Sequence, residues 1–281
     1  MQKQSNPVWL ITGTSSGVGR VLAEAVLNHG HRVVLTARNP EALKELAEQY
    51  PDSTHVAALD VTNSKQILEV VDEAERKFGG IDILVNNAGI GYSSAIEEGE
   101  EADIRSLFDT NFFGLASMIR AVLPGMRARK QGTIVNISSN SGVVAMPSLG
   151  YYSASKFAVE GLTEALWQEV EPLGIKVLLI EPGGMRTGIM SKNRRSVRNP
   201  AYDETSGAVK DLLEKHGDSL LAGDPERIAQ VIIKMVEKED KPHRLILGNA
   251  AYDQIMDKID NLKAEYRAWR SVSRSTDFPE K

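Results

Sequence analysis

Short, unbroken apolar runs recur along this chain, with room for one helix between each pair. The runs are VWLIT (8–12), RVVLTA (32–37), HVAAL (55–59), IDILVN (81–86), TIVNIS (133–138) and KVLLIEP (176–182), with LIL (245–247) as a seventh. They are rich in Val, Ile and Leu and do not alternate with polar residues, the pattern of parallel strands buried on both faces. The intervening segments predict helices over 17–29, 40–50, 64–78, 101–129 and 152–171, the second entered through Asn39-Pro40. Such regular alternation restricts the chain to an α/β fold, a doubly wound parallel sheet of about seven strands in three α/β/α layers. No repeat, low-complexity segment or linker divides it, so residues 1–281 are expected to form a single domain.

Two stretches break the rhythm. Residues 184–223 contain no clear strand and follow the sixth run, at the sheet edge where open α/β folds bind ligands, which predicts a substrate lid. Residues 252–281 form an expected helical extension, with Ile255, Ile259, Leu262, Tyr266 and Trp269 at helical spacing as a core- or subunit-packing stripe.

The first apolar run stops at Gly13-Thr14-Ser15-Ser16-Gly17-Val18-Gly19 and is followed by an amphipathic stretch. Strand, glycine turn and helix in that order form a Rossmann-type nucleotide site: glycines admit a pyrophosphate, and the helix N-terminus offers unpaired N–H groups. At the end of the second run, a carboxylate suits the ribose hydroxyl of NAD and an arginine the 2′-phosphate of NADP. Ala37 stands at the expected acidic position and Arg38 follows it, which favours NADP over NAD.

A second group lies further on. Ser139, Tyr152 and Lys156 occur in ISS followed, after twelve residues, by YSASK. A phenol is a weak acid near pH 7, but a lysine at i+4 shares its helix face and can shift its acidity. With a serine hydroxyl to hold a carbonyl oxygen, the three suffice for proton transfer without a metal. Tyr151 lacks a lysine at i+4, so Tyr152 is the candidate. Composition removes competing chemistries: there are no cysteines, and the five histidines lack HExxH or HxxxH spacing, so no metal site is expected. A net charge of −5 gives no reason to expect nucleic-acid binding. No apolar run approaches a membrane span and no leader is evident, so a cytoplasmic, non-membrane protein is expected.

Taken with the DVT at 60–62, NNAG at 86–89, Asn111 and PGGMRT at 182–187, the chain resembles the classical short-chain dehydrogenase/reductase family over roughly residues 7–250. The resemblance implies an NAD(P)-dependent oxidoreductase acting on a small-molecule carbonyl or secondary alcohol. Tyr152 would be the general acid/base. Lys156 would lower the phenol pKa and bind the nicotinamide ribose, and Ser139 would hold the carbonyl oxygen. Asn111 would hold a water leading from Lys156 to solvent. It further implies cofactor contacts from Gly13, Ser15, Ser16, Gly17 and Val18 at the pyrophosphate and ribose, and from Asp60 and Val61 at the adenine. Asn87, Ala88 and Gly89 would flank the ribose, and Pro182, Gly183, Met185 and Thr187 the nicotinamide. Family members pair as dimers or tetramers through the helices at 101–129 and 152–171. The tail resembles the branch acting on lipophilic alcohols and favours a hydrophobic substrate, with acyl-thioester reduction as the alternative and a non-catalytic NADP sensor as a remoter one. The basic residues Arg186, Lys192, Arg194, Arg195 and Arg198 are read as a solvated cluster on the lid, with anion capture as the functional alternative.

Overall fold

The computed structural model describes residues 6–187 and 193–278, with the side chains of 218–220 outside the description. The chain runs β1 (Val8–Ile11), α1 (Gly17–Asn28), β2 (Arg32–Ala37), α2 (Lys44–Gln49), β3 (Thr54–Ala58), α3 (Ser64–Phe78), β4 (Ile83–Asn86) and β5 (Tyr92–Ser93). It continues through α4 (Glu101–Phe108), α5 (Leu115–Arg129), β6 (Gly132–Ile137), α6 (Gly150–Val170), β7 (Ile175–Pro182) and β8 (Arg194–Arg195). Four helices and a strand complete it: α7 (Ala208–Leu220), α8 (Pro225–Glu237), β9 (Arg244–Leu247), α9 (Asn249–Ala268) and α10 (Arg270–Arg274).

All seven apolar runs join one parallel sheet in the order β3-β2-β1-β4-β6-β7-β9, as the sequence predicts. Within each central strand, successive residues feed opposite cores. Leu10, Val34, Leu84 and Ile134 pack with α3, α5 and α6, while Trp9, Ile11, Val33, Leu35, Val85 and Val135 pack with α1 and α8. This period of two explains why polar alternation is missing: both faces are dry. Chain order reverses between β1 and β4, and the crevice at their carboxyl ends is where open α/β sheets take ligands.

Four parts of the chain depart from the predicted elements, helix α8 by being absent from them. The long helix over 101–129 is interrupted by a π-helical turn, Asp109–Gly114, lying between α4 and α5. A Cβ on Gly114 would come within 2.8 Å of Val61, so glycine lets this widened turn close against the third strand's exit. The segment 184–223 contains the short strand β8, paired in parallel with β5, and the helix α7; its residues 188–192, Lys192 included, lie outside the described part. Helix α8 carries a readable signal: Asp224 caps it at Glu226 N (2.9 Å), Pro225 opens it, and Ile228, Ile232, Ile233 and Val236 lie on its buried face. The C-terminal stripe is core only at its start, where Ala251 and Ile255 are buried; Ile259, Tyr266 and Trp269 are exposed. No described helix is long and apolar enough to cross a membrane.

Candidate active site

The glycine turn is held open by its neighbours. Gly13 and Gly17 have φ of +74° and +63°, in the left-handed region that suits glycine. A Cβ on Gly19 would stand 2.3 Å from Asn87 Nδ2 and 2.4 Å from the Gly13 carbonyl oxygen, so α1 starts as close to the turn as backbone allows. Asn87 acts as a rivet: its Nδ2 donates to the carbonyl oxygens of Thr12 (2.9 Å) and Gly13 (3.1 Å). The N–H groups of Asn87 and Ala88 both donate to Thr12 Oγ1 at 3.0 Å. Ser15 and Ser16 are exposed in the turn, whereas the side chains of Val18 and Val61 belong to the core. Asp60 turns its carboxylate onto Thr62, accepting from its N–H (2.9 Å) and hydroxyl (2.7 Å). Arg38 is exposed just beyond β2 and makes no ion pair with any described residue. Across the crevice, β7 ends at Pro182, Gly183 N donates to Leu247 O (2.9 Å), and Met185 bridges to Gly223. Thr187 folds back so that its Cβ would lie 3.4 Å from a Cβ on Gly17. These features fit a dinucleotide: an open glycine turn, a helix N-terminus and a closing loop converge at one crevice.

The triplet lies on the next elements. Lys156 is buried on α6, with Nζ donating to the Ile137 carbonyl oxygen (2.9 Å) and lying 5.9 Å from the Tyr152 ring centre. Ser139, just past β6, is also buried and neighbours the phenol. Helix α6 is fixed to the sheet by a polar chain: Asn86 Nδ2 donates to Asn136 Oδ1, whose Nδ2 donates to Thr163 Oγ1, each at 2.9 Å. Burial raises the phenol pKa and the Ser139 hydroxyl draws it back. Burial pushes Lys156 down to about 8.

Asn111 sits in the π-helical turn, and its amide is engaged. Oδ1 accepts from Ile90 N–H (2.9 Å), while Nδ2 donates to the Ile90 carbonyl oxygen (2.9 Å) and to Ser155 Oγ (3.2 Å). The residue thus fixes the loop after β4 to α6. The turn 87–89 joins both halves of the site. A Cβ on Gly13 would lie 3.2 Å from Ala88 Cα, and one on Gly89 would lie 3.4 Å from Asn111 Oδ1 and 3.9 Å from Lys156 Nζ.

Three arginines of the segment 184–223 pair with carboxylates of the protein itself. Arg194 pairs with Asp103, Arg195 with Glu214, and Arg198 with Asp203 and Asp211, while Arg186 donates to the Leu221 carbonyl oxygen. Two groups of the site region are additional to the sequence-derived set. Glu98, buried with Lys210, ties the lid to the loop after β5, and Glu160 lies one turn beyond Lys156. Only Glu160 carried a signal, its i+4 spacing from the lysine.

Comparison with known proteins agrees with this geometry. The family model for short chain dehydrogenases matches residues 7–198. An NADPH-dependent 3-dehydrocapnine reductase of Ornithobacterium rhinotracheale is 33% identical over 268 residues, 89% of this chain and 94% of the relative. The crystal structure of a short-chain dehydrogenase from Streptomyces avermitilis is 42% identical, with a TM-score of 0.90 over 98% of this chain and 100% of its own. A short-chain dehydrogenase/reductase from Burkholderia phymatum, solved with NAD, is 26% identical with a TM-score of 0.82, covering 94% of this chain and 97% of its own. The chain belongs to the short-chain dehydrogenase/reductase family of NAD(P)-type oxidoreductases.

Proposed function

We propose that this protein is an NADP-preferring carbonyl reductase, equally an alcohol dehydrogenase in reverse, acting on a small or medium hydrophobic ketone or secondary alcohol. The observation that carries the reading is the turn 87–89, which abuts Gly13 on one side and Lys156 on the other. Residues 13–18, 38, 60–61 and 87–89 would hold the dinucleotide, and Pro182, Gly183, Met185 and Thr187 would close around its nicotinamide. When bound, that cofactor supplies or accepts the hydride.

The chain's own residues manage the proton. Tyr152, kept protonated by burial, gives its phenolic proton to the carbonyl oxygen during reduction. A raised pKa does not disable it, because a carbonyl oxygen receiving a hydride becomes an alkoxide more basic than a phenolate. Ser139 hydrogen-bonds that oxygen, and the Lys156 charge stabilises the phenolate left behind. Asn111, whose amide is tied to Ile90, would hold the water that returns the proton toward Lys156.

Arg38, exposed beyond an alanine rather than an acid, supports NADP, as does the NADPH-dependent relative. The paired cations of the lid favour a hydrophobic substrate over one delivered on an acidic carrier. We also infer a homodimer or homotetramer formed through α4–α5 and α6, whose Phe113 and Phe157 are 56% and 45% exposed. Sedimentation velocity should return the mass of a dimer or tetramer; a monomer at micromolar concentration rejects that assembly. The activity is tested by following NADPH absorbance against ketones and aldehydes of increasing chain length and a β-ketoacyl thioester. Hydrophobic ketones should be consumed fastest. Faster turnover of the thioester supports the alternative substrate class, and NADPH binding without consumption across the panel overturns the reading.

A further inference from the structure

Three successive turns of α6 present Tyr152, Lys156 and Glu160 to one side, because residues at i, i+4 and i+8 share a helix face. The end of β6 meets each in turn. Ser139 neighbours the Tyr152 phenol, and the Ile137 carbonyl oxygen accepts from Lys156 Nζ at 2.9 Å. Ser138 faces Glu160: a Cβ on Gly142 would lie 2.6 Å from Ser138 Oγ and 2.7 Å from Glu160 Oε1. The first two contacts belong to the machinery already described. The third has no place in it.

Glu160 is only 6% exposed, and so its presence needs a reason. Its carboxylate shares Arg244, on β9, with Glu181, near the end of β7 and itself 2% exposed. Anchoring Arg244 is not a sufficient reason. The guanidinium already bonds Glu181 at 2.9 Å and Glu164 at 2.8 Å, and it stacks 5.5 Å from the Trp167 ring centre. Adding a further buried carboxylate costs desolvation that one more contact to a satisfied guanidinium does not offset. What Glu160 has that Glu164 lacks is a place one turn from Lys156. Among the described residues, the groups that face it are Lys156 and Glu164 on its own helix, Glu181 from β7, Arg244 from β9 and Ser138 after β6.

We propose that Glu160 is a positioning residue for proton transfer, whose buried carboxylate holds the Lys156 ammonium in its charged form. The electrostatics run the same way. Burial pushes the Glu160 carboxyl up, Ser138 draws it down, Glu181 raises it again and Arg244 lowers it, leaving it at about 7. Burial pushes Lys156 down to about 8, and Glu160 is the group that pulls it back up. Near pH 8 the Glu160 carboxylate is largely ionised while Lys156 titrates, so its charge opposes loss of the lysine proton there. The catalytic meaning of this arrangement rests on the oxidoreductase reading; the coupling itself does not.

The direct test is NMR titration of Lys156 in the full-length protein labelled with 13C-lysine, its signal assigned by loss in Lys156→Arg. Wild type should titrate near 8. Glu160→Gln should lower the midpoint by about one pH unit. Glu164→Gln, which removes a neighbouring Arg244 partner instead, should leave it unchanged. If the glutamine variant does not fold, Glu160→Asp, which draws the charge back by one methylene, should move the midpoint the same way by less. A Lys156 midpoint unmoved in the variants at 160, or moved equally by Glu164→Gln, overturns the proposal. In the enzyme assay the alkaline limb of kcat should shift with the NMR midpoint. Absence of any wild-type turnover would count against the oxidoreductase reading alone, since the titration needs no substrate.

Discussion

Arg38 and Ala37 show how much a single position can decide. The 2′-phosphate of NADP carries charge that an exposed guanidinium can meet, whereas the ribose hydroxyl of NAD asks for a carboxylate that this chain lacks at position 37. Arg38→Ala should raise KM for NADPH at least tenfold, the loss expected of a charge-assisted hydrogen bond of about 1.5–3 kcal/mol, and change KM for NADH little. Equal effects on the two cofactors would remove Arg38 from the site. Residues of this kind were legible because their roles are local. Gly13 and Gly17 adopt the left-handed φ that a turn demands, and Lys156 follows Tyr152 by one helical turn. Glu160 was legible only as a spacing. Its partners Glu181 and Arg244 come from other strands, and nothing in the linear sequence joins them.

At the level of elements, the lid shows what sequence pattern leaves out. Its segment 194–220 contains a two-residue strand and the helix α7, and a buried ion pair ties it to the loop after β5. Glu98 Oε2 accepts from Lys210 Nζ (2.6 Å), Ser196 Oγ (2.9 Å) and Ala95 N (3.0 Å), and Oε1 accepts from Asn199 N (2.9 Å). Burial by itself raises this carboxyl, but the hydrogen bonds from Asn199, Lys210, Ala95 and Ser196 together bring it from the ordinary 4.5 to about 2. Its folded pKa is depressed, so its contribution is fully present above pH 4.5 and is lost as pH falls toward 2. Glu98→Gln leaves the Lys210 ammonium buried without its counter-charge and should cost about 3 kcal/mol at pH 7, with faster proteolysis within the lid. Limited proteolysis and urea unfolding check this; unchanged stability would mean that the lid is held elsewhere. Helix α8, by contrast, has an Asp cap, a proline start and an apolar face, although no helix is predicted there from the sequence.

For the whole molecule, the parallel sheet was legible because seven runs with no polar alternation admit few arrangements, and both faces of β1, β2, β4, β6 and β7 are indeed dry. The tertiary placement of the site follows from that topology. The glycine turn after β1 and the turn after β4 meet at the point of reversed strand order, and Gly89 brings the second of them to Lys156. What the topology does not encode is the pairing of the cations of segment 184–223 with carboxylates far away in sequence, 112 residues for Lys210 and Glu98. In the proposed reaction the two halves joined at Gly89 transfer a hydride and a proton together, with Tyr152 handling the proton. The most direct measurement compares wild type with Tyr152→Phe, recording NADPH affinity by fluorescence and ketone-dependent NADPH oxidation by absorbance. Affinity should stay within about threefold while kcat falls by roughly 10²–10⁴, the range general acid catalysis supplies. A phenylalanine variant that turns over the same ketone at the wild-type rate would contradict it.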